Sequence, residues 1–467
     1  MFPQRGLDLI YIYGEMLDVA VYLLFFALLL LLLQNEAEKR YCALFLGILL
    51  FPSCIWIIDK PKLLVQHVFL YAFLCYELAK NANVVKEALR KFPLKIPFFI
   101  ILASFCATVL SVEGLKPKEF YQLIRYILDL YGYLLAAYIL GSRVNLESVM
   151  KKLFWPLIVL GLLGVFEGLT NTNYPYKIIC SAFPGYDGFY NLASSINASD
   201  SWRIRTLLTT TYPTAYGTLL CGIILFYVPN LKQLGFTSTR IVLFCAVYFA
   251  NLYLCGCRTA ILCTGMALLF WFIKKWHILP KIILVGAFFF GSMTYGYHVI
   301  QHFSQESRGS SLQLRQQQLL FSIVQIANRP LFGNGVSYLT KHIFETDQYG
   351  DRIQNDEILG MESIVFPKLI NYGFVGLFTY YLFCAWMFFW FYSKRNLHPG
   401  AVSGYLITFA TTAFYTLSGN MGNASAYIYL ILGLLVGNLV SAQKAQAEKN
   451  ETELPAPKTT GKYIGSK

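Results

Sequence analysis

Long apolar runs recur along this chain, separated by short polar turns. At about 20 residues per crossing, the pattern predicts membrane helices at Met16–Leu33, Tyr41–Ile58, Leu63–Ala79, Ile96–Val112, Phe120–Gly141, Leu153–Thr170 and Thr206–Val228. It continues with Ile241–Cys255, Thr259–Ile273, Ile282–Val299, Phe374–Tyr392, Ala401–Leu417 and Ala424–Val440. The runs are continuous rather than alternating, which excludes a membrane β-barrel. The expected fold is all-α, a polytopic transmembrane helix bundle of about 12–13 helices, with one long exported loop that bears amphipathic helices. An odd count puts the amino terminus outside. Residues 1–170 hold the N-terminal helices, and 171–441 form a membrane core that includes exported loops 171–205 and 300–365. The remainder, 442–467, is expected to be a disordered cytoplasmic tail.

Composition narrows the class. The chain is 56% hydrophobic and 13% charged, against about 25% charged in soluble domains. Its net charge of +13 is no sign of nucleic acid, because Lys and Arg of a membrane protein gather in cytoplasmic loops. Such loops hold Lys80, Lys86, Arg90, Lys91 and Lys95, then Arg143, Lys151 and Lys152, and later Lys394 and Arg395. Most of the 11 cysteines lie in apolar runs and read as packing residues. Cys255 and Cys257 lack the second pair a zinc cage needs. The first apolar run has no small-residue cleavage site, so it is expected to stay as a membrane helix.

The exported segments are unusual in carrying arginine: Arg203, Arg205, Arg258, Arg308, Arg315, Arg329 and Arg352. A guanidinium fork binds phosphate oxygens in a bidentate way and stays charged. This points to a phosphate-bearing substrate at the outer face. The plainer account is that long exported loops escape the orientation rule and their arginines pair with Asp and Glu. The longest such block runs from Arg315 to Gly376. It opens with an amphipathic pattern in which Leu319, Leu320, Ile323, Val324 and Ile326 take helical spacing beside Gln316, Gln317 and Gln318. Such a helix could lie along the membrane plane. Pro330, Gly333 and Gly335 then turn the chain. Within the spans, Arg125 and Asp129 are spaced for an internal ion pair. Glu167 could balance the arginines. His298 and His302 have metal-compatible spacing but no third ligand.

Four segments, in order, carry a resemblance: WRIRTLLTTTYPTAYGTLL (Trp202–Leu220), CGCRTAILCTGMALLFWF (Cys255–Phe272), LRQQQLLFSIVQIANRPLFGNGVS (Leu314–Ser337) and MESIVFPKLINYGFVGL (Met361–Leu377). Together they resemble the arginine-then-proline helix start, the Ser-Arg hairpin, the Arg helix with its Pro/Gly turn, and the closing Gly-x-x-Gly segment of the O-antigen polymerase and O-antigen ligase superfamily. They span roughly Arg203–Leu377, a little over a third of the chain. Ligases of that family carry a His-Asn pair where this chain has Glu362 and Ser363, which favours a polymerase.

The resemblance implies a metal-independent glycosyltransferase with no cofactor, in the bacterial inner membrane, working at the periplasmic face. Its donor would be an undecaprenyl-pyrophosphate-linked glycan, moved onto the next lipid-linked repeat unit. A polysaccharide chain-length regulator is a plausible partner for the family. In this reading Arg205, Arg258, Arg203 and Arg308 bind the pyrophosphate, and Arg315 faces the reacting groove. Glu362 accepts or orients the acceptor hydroxyl proton, with Asp356 and Glu357 as competitors. Two other readings stand beside it. One is an O-antigen ligase acting on lipid A-core. The other, of a different class, is a lipid-linked sugar flippase, though the inverted repeats common in transporters are not visible.

Overall fold

In a computed structural model of the protein, the described residues are 14–58, 63–111, 117–183, 205–273, 277–287 without 281 and 285, 311–339 without 337, 344–346, 352–354, 361–418 without 362, and 424–452. Helices dominate. In chain order they are α1 (Gly14–Leu32), α2 (Ala37–Leu50), α3 (Val65–Arg90), α4 (Lys95–Ser111), α5 (Pro117–Ile127), α6 (Tyr133–Gly141), α7 (Leu146–Thr170) and α8 (Tyr174–Ala182). There follow α9 (Pro213–Tyr227), α10 (Ser238–Leu254), α11 (Arg258–Phe272), α12 (Ser311–Ile326), α13 (Val365–Ser393), α14 (Pro399–Ser418) and α15 (Ala424–Thr452). By length and apolarity, α1, α7, α13 and α15 can each cross a membrane, and α3 with α4 make a fifth candidate bent by 94°. The shorter α9, α10 and α11 are apolar as well.

The core forms around α15 and α6. A Cβ at Gly433 would sit 2.3 Å from the Leu134 carbonyl oxygen, and one at Gly437 would sit 2.5 Å from the Gly141 carbonyl carbon. Only glycine lets these backbones approach so closely, the usual device where lipid removes the hydrophobic drive between helices. Asn438 locks the contact. Its amide donates to the Gly141 carbonyl (2.9 Å) and its oxygen accepts from Leu146 N (3.1 Å).

Several boundaries differ from the hydropathy pattern, each for a local reason. The helix expected over Tyr41–Ile58 stops at Leu50, because Pro52 cannot continue it; Gln66 Nε2 then donates to the Ile48 and Phe51 carbonyls (2.8 and 2.7 Å). Trp56–Ile58 instead pairs with Leu63–Leu64 as a small hairpin, β1–β2, and a second hairpin joins β3 (Phe344–Thr346) to β4 (Arg352–Gln354). The basic segment after Ala79 is no open loop, since α3 continues through Lys80 and Lys86 to Arg90 with a kink at Asn81. The expected helix Phe120–Gly141 is interrupted by a π-helical turn, Leu128–Gly132. Residues after Ser441 remain helical to Thr452.

Charge is unequal at the two ends of the bundle. At one end the buried Glu77 receives both Arg40 and Arg143, the latter at 2.5 Å. Lys152 pairs with Glu38 there, and Lys151 with Glu147 (2.5 Å). Lys394 and Arg395, just past α13, belong to the same basic end. The opposite end carries the residues described next.

Candidate functional site

Arg205 is held by a turn that hydropathy assigned to a helix. Residues 206–211 are buried but not helical, and α9 starts only at Pro213. Threonine hydroxyls bond to backbone carbonyls instead of leaving the backbone to coil: Thr209 donates to Leu49 O and Thr210 to Leu207 O (2.6 Å). Leu208 has φ 49°, in the left-handed region, which costs an L residue about 1–2 kcal/mol. Glu167, near the end of α7, secures it: the buried carboxylate accepts Leu207 N–H (3.1 Å) and Leu208 N–H (2.8 Å). Asn173 Nδ2 adds a bond to the Leu208 carbonyl (2.5 Å). Glu167 therefore shapes the backbone behind Arg205; the arginine-balancing role expected of it is not what these bonds do.

The same turn sets Arg205 against the chain that leads into α11. Thr206 N donates to Leu254 O at the end of α10 (3.4 Å). Gly256 follows with φ 62°, and a Cβ there would meet Arg205 Cγ at 3.3 Å and Nε at 3.4 Å. The Arg205 stem thus lies over Gly256. Arg258, two residues on, opens α11, and both arginines are exposed. Arg203, Arg308, Glu362, Asp356, Glu357, His298 and His302 lie outside the described residues, and Arg315 is described only as a backbone position in α12.

The two glycine motifs of the long block interlock. Asn334 N donates to Ile370 O (2.9 Å) and Gly335 N to Asn371 O (3.1 Å), while Phe374 N donates to Pro330 O (2.9 Å) and Val375 N to Leu331 O (3.0 Å). Gly333 and Gly373 have φ 68° and 66°. A Cβ on either would fall 2.4–2.6 Å from backbone atoms of the other segment. This clasp explains why α13 is helical from Val365 yet broken at Gly373. The chain just after Glu362 is fixed separately, to α14: Ser363 Oγ donates to Thr416 O (2.6 Å) and Ile364 N to Tyr415 O (2.9 Å).

Two charged clusters lie beside the clasp. Lys368 is buried, its Nζ donating to Tyr126 Oη (2.6 Å), with the rings of Phe105, Tyr126, Tyr372 and Tyr380 at 4.8–5.5 Å. Sequence reasoning passed over it, although a lysine inside the apolar run IVFPKLI was a readable signal. Arg125 Nε lies 3.4 Å from Asp129 Oδ2, the ion pair expected from their spacing. The π-helical turn additionally presents Asp129 Oδ1 to His67 Nε2 at 3.0 Å, though without the alignment of a hydrogen bond. That partner is 62 residues away in sequence and invisible to local pattern.

An apolar trench of about 530 Å³ runs between α11, α13 and α14, walled by Phe270, Cys384, Phe388 and Phe409. At its clasp end Tyr381 Oη meets Thr416 Oγ1 (2.8 Å), directly under the Ser363 anchor. The helix that opens with Arg258 supplies Phe270 to its wall. Compared with known families and with curated proteins, the chain matches no family model and no curated sequence.

Proposed function

We propose that the chain is an integral membrane glycosyltransferase that polymerises undecaprenyl-pyrophosphate-linked repeat units into a surface polysaccharide at the periplasmic face. The observation that carries this reading is that the exposed Arg205 lies over Gly256, two residues before the exposed Arg258 at the start of α11. Two exposed guanidinium forks at this turn would suit a pyrophosphate leaving group, whose charge grows as the glycosyl bond breaks. A lipid-linked donor also needs an apolar path, and the trench walled by Phe270, at the other end of the helix that Arg258 opens, offers one within the bundle. Orientation follows from charge: the basic end belongs in the cytoplasm and the two arginines at the opposite face. In this reaction the acceptor hydroxyl attacks the anomeric carbon, the bond to the pyrophosphate oxygen breaks, and the hydroxyl proton passes to a carboxylate. Glu362 is the proposed acceptor of that proton.

Deleting the gene in its native host and resolving surface and lipid-linked glycans on a gel tests this. Single repeat units on the acceptor are expected. Full-length polymer stranded on its lipid carrier would replace the polymerase with a ligase, and unaltered polymer would remove both. A Glu362→Gln variant that polymerises at the normal rate would remove Glu362 as the base.

A further inference from the structure

The helix α12 leaves an apolar stripe exposed while it buries polar side chains. Gln318 and Ser322 face inward and are fully buried, whereas Leu320 and Val324 are 64% and 68% exposed, with Leu319 and Ile323 beside them. A helix in water places its apolar stripe against the core and its polar face outside. The inward side of α12 is nonetheless well made: Phe321 joins a small core with Leu339, Met361, Phe366 and Ile370, and Ser322 Oγ donates to the Gln318 carbonyl (2.6 Å). Gln325 accepts from Tyr338 Oη (2.6 Å), and Asn334 Nδ2 donates to the Gln325 carbonyl (2.8 Å). The exposed aliphatic face is therefore the outer side of a fixed helix, pinned by the clasp that follows it.

That face continues into the exposed side of a candidate membrane span. Leu331, exposed after the helix, is joined through its carbonyl to Val375 N in α13. Next to it on α13, Phe374 and Phe378 are exposed within a candidate membrane span. Arg329 Nη1 reaches Ser111 O at the end of α4 (3.4 Å), beside exposed Leu110. An apolar stripe continuous with a candidate span's exposed side, bordered by an arginine at the helix end, is the pattern of an interfacial helix.

We infer that the face of α12 formed by Leu319, Leu320, Ile323 and Val324 seats in the hydrocarbon of the membrane leaflet at the clasp end. The occupant is lipid acyl chain, and the seating holds whatever reaction the protein performs. It would keep the clasp, and the chain leading into it, at the depth of the lipid headgroups.

Nitroxide labels test this in full-length protein reconstituted in phosphatidylethanolamine–phosphatidylglycerol vesicles, with the exposed Cys75 and Cys106 replaced by serine. Labels go at Leu320→Cys and Val324→Cys, with Ile323→Cys as a second probe of the face and Lys444→Cys as a water-exposed control. The signal of the unsubstituted background is subtracted. Collisions with oxygen that exceed those with a water-soluble nickel chelate are expected at all three α12 positions, and the reverse at Lys444. Chelate-dominated collisions at α12 would overturn the inference by putting the face in water. Protection from both colliders would overturn it by showing that protein, a second copy or another segment, covers the face.

Discussion

Lys368 sits among four aromatic rings with one phenol as its hydrogen-bond partner. Desolvating an ammonium costs several kcal/mol, and the cage returns a similar sum: about 2 kcal/mol from cation–π attraction when desolvated and about 1.5–3 from a charged hydrogen bond. With the terms so close, Lys368→Met is expected to fold with a detergent Tm within a few degrees of the parent. Lys368→Glu turns attraction to the ring faces into repulsion, so its Tm should fall clearly below that of the Met variant. Equal melting of the two would mean the cage does not sense charge. Arg205 makes the opposite kind of prediction. It is exposed and its stem rests on Gly256, so Arg205→Lys should leave accumulation unchanged. The loss of bidentate geometry should lower polymerisation roughly 10–100-fold, read as shortened glycan on a gel at matched protein level. Full-length glycan from that variant would end the role proposed for Arg205.

Among the elements, the clasp is the most sharply determined. Gly333→Ala and Gly373→Ala each force an L residue into the left-handed region, at about 1–3 kcal/mol, and each adds a methyl within 2.4–2.6 Å of the opposite backbone. Both variants should melt well below the parent, whereas Gly265→Ala on α11, which meets nothing within 4 Å, should not. The glycine motifs themselves were readable in the sequence. Their pairing was not, because a backbone hydrogen bond between Asn334 and Ile370 leaves no trace in side-chain pattern. The same limit hid Glu167: its position near a helix end was plain, but its acceptance of two N–H groups from a turn some forty residues later is a tertiary fact. The apolar spans were legible because burial in lipid demands a composition. Thr206–Thr211 was misread as helix because threonine in an apolar run looks alike whether its hydroxyl bonds to a helix or to a turn.

At the scale of the whole molecule, the two ends differ in how their charges are satisfied. At the basic end Glu77 is the shared counter-ion of Arg40 and Arg143, with Asn81 Nδ2 adding a bond at 3.1 Å. Removing its charge leaves two cations facing each other with Arg40 still buried. Breaking such a group costs about 3–5 kcal/mol, so Glu77→Gln should lose much of its folded yield in detergent while Glu147→Gln, on an exposed pair, should not. This end also decides orientation, because Lys and Arg in short loops resist export. Gly235 lies in the connection between α9 and α10 at φ 70°, with nothing within 4 Å of a Cβ built there, so an epitope inserted after it should be tolerated. In a bacterial host that tag should be reached by antibody only in inside-out vesicles, while a thiol-reactive, membrane-impermeant probe should label Arg258→Cys from the periplasm of intact cells. Labelling of both sites from one side would break the two-ended arrangement. Reversal of both would leave the bundle intact but put the two arginines in the cytoplasm, where an exported glycan could not meet them.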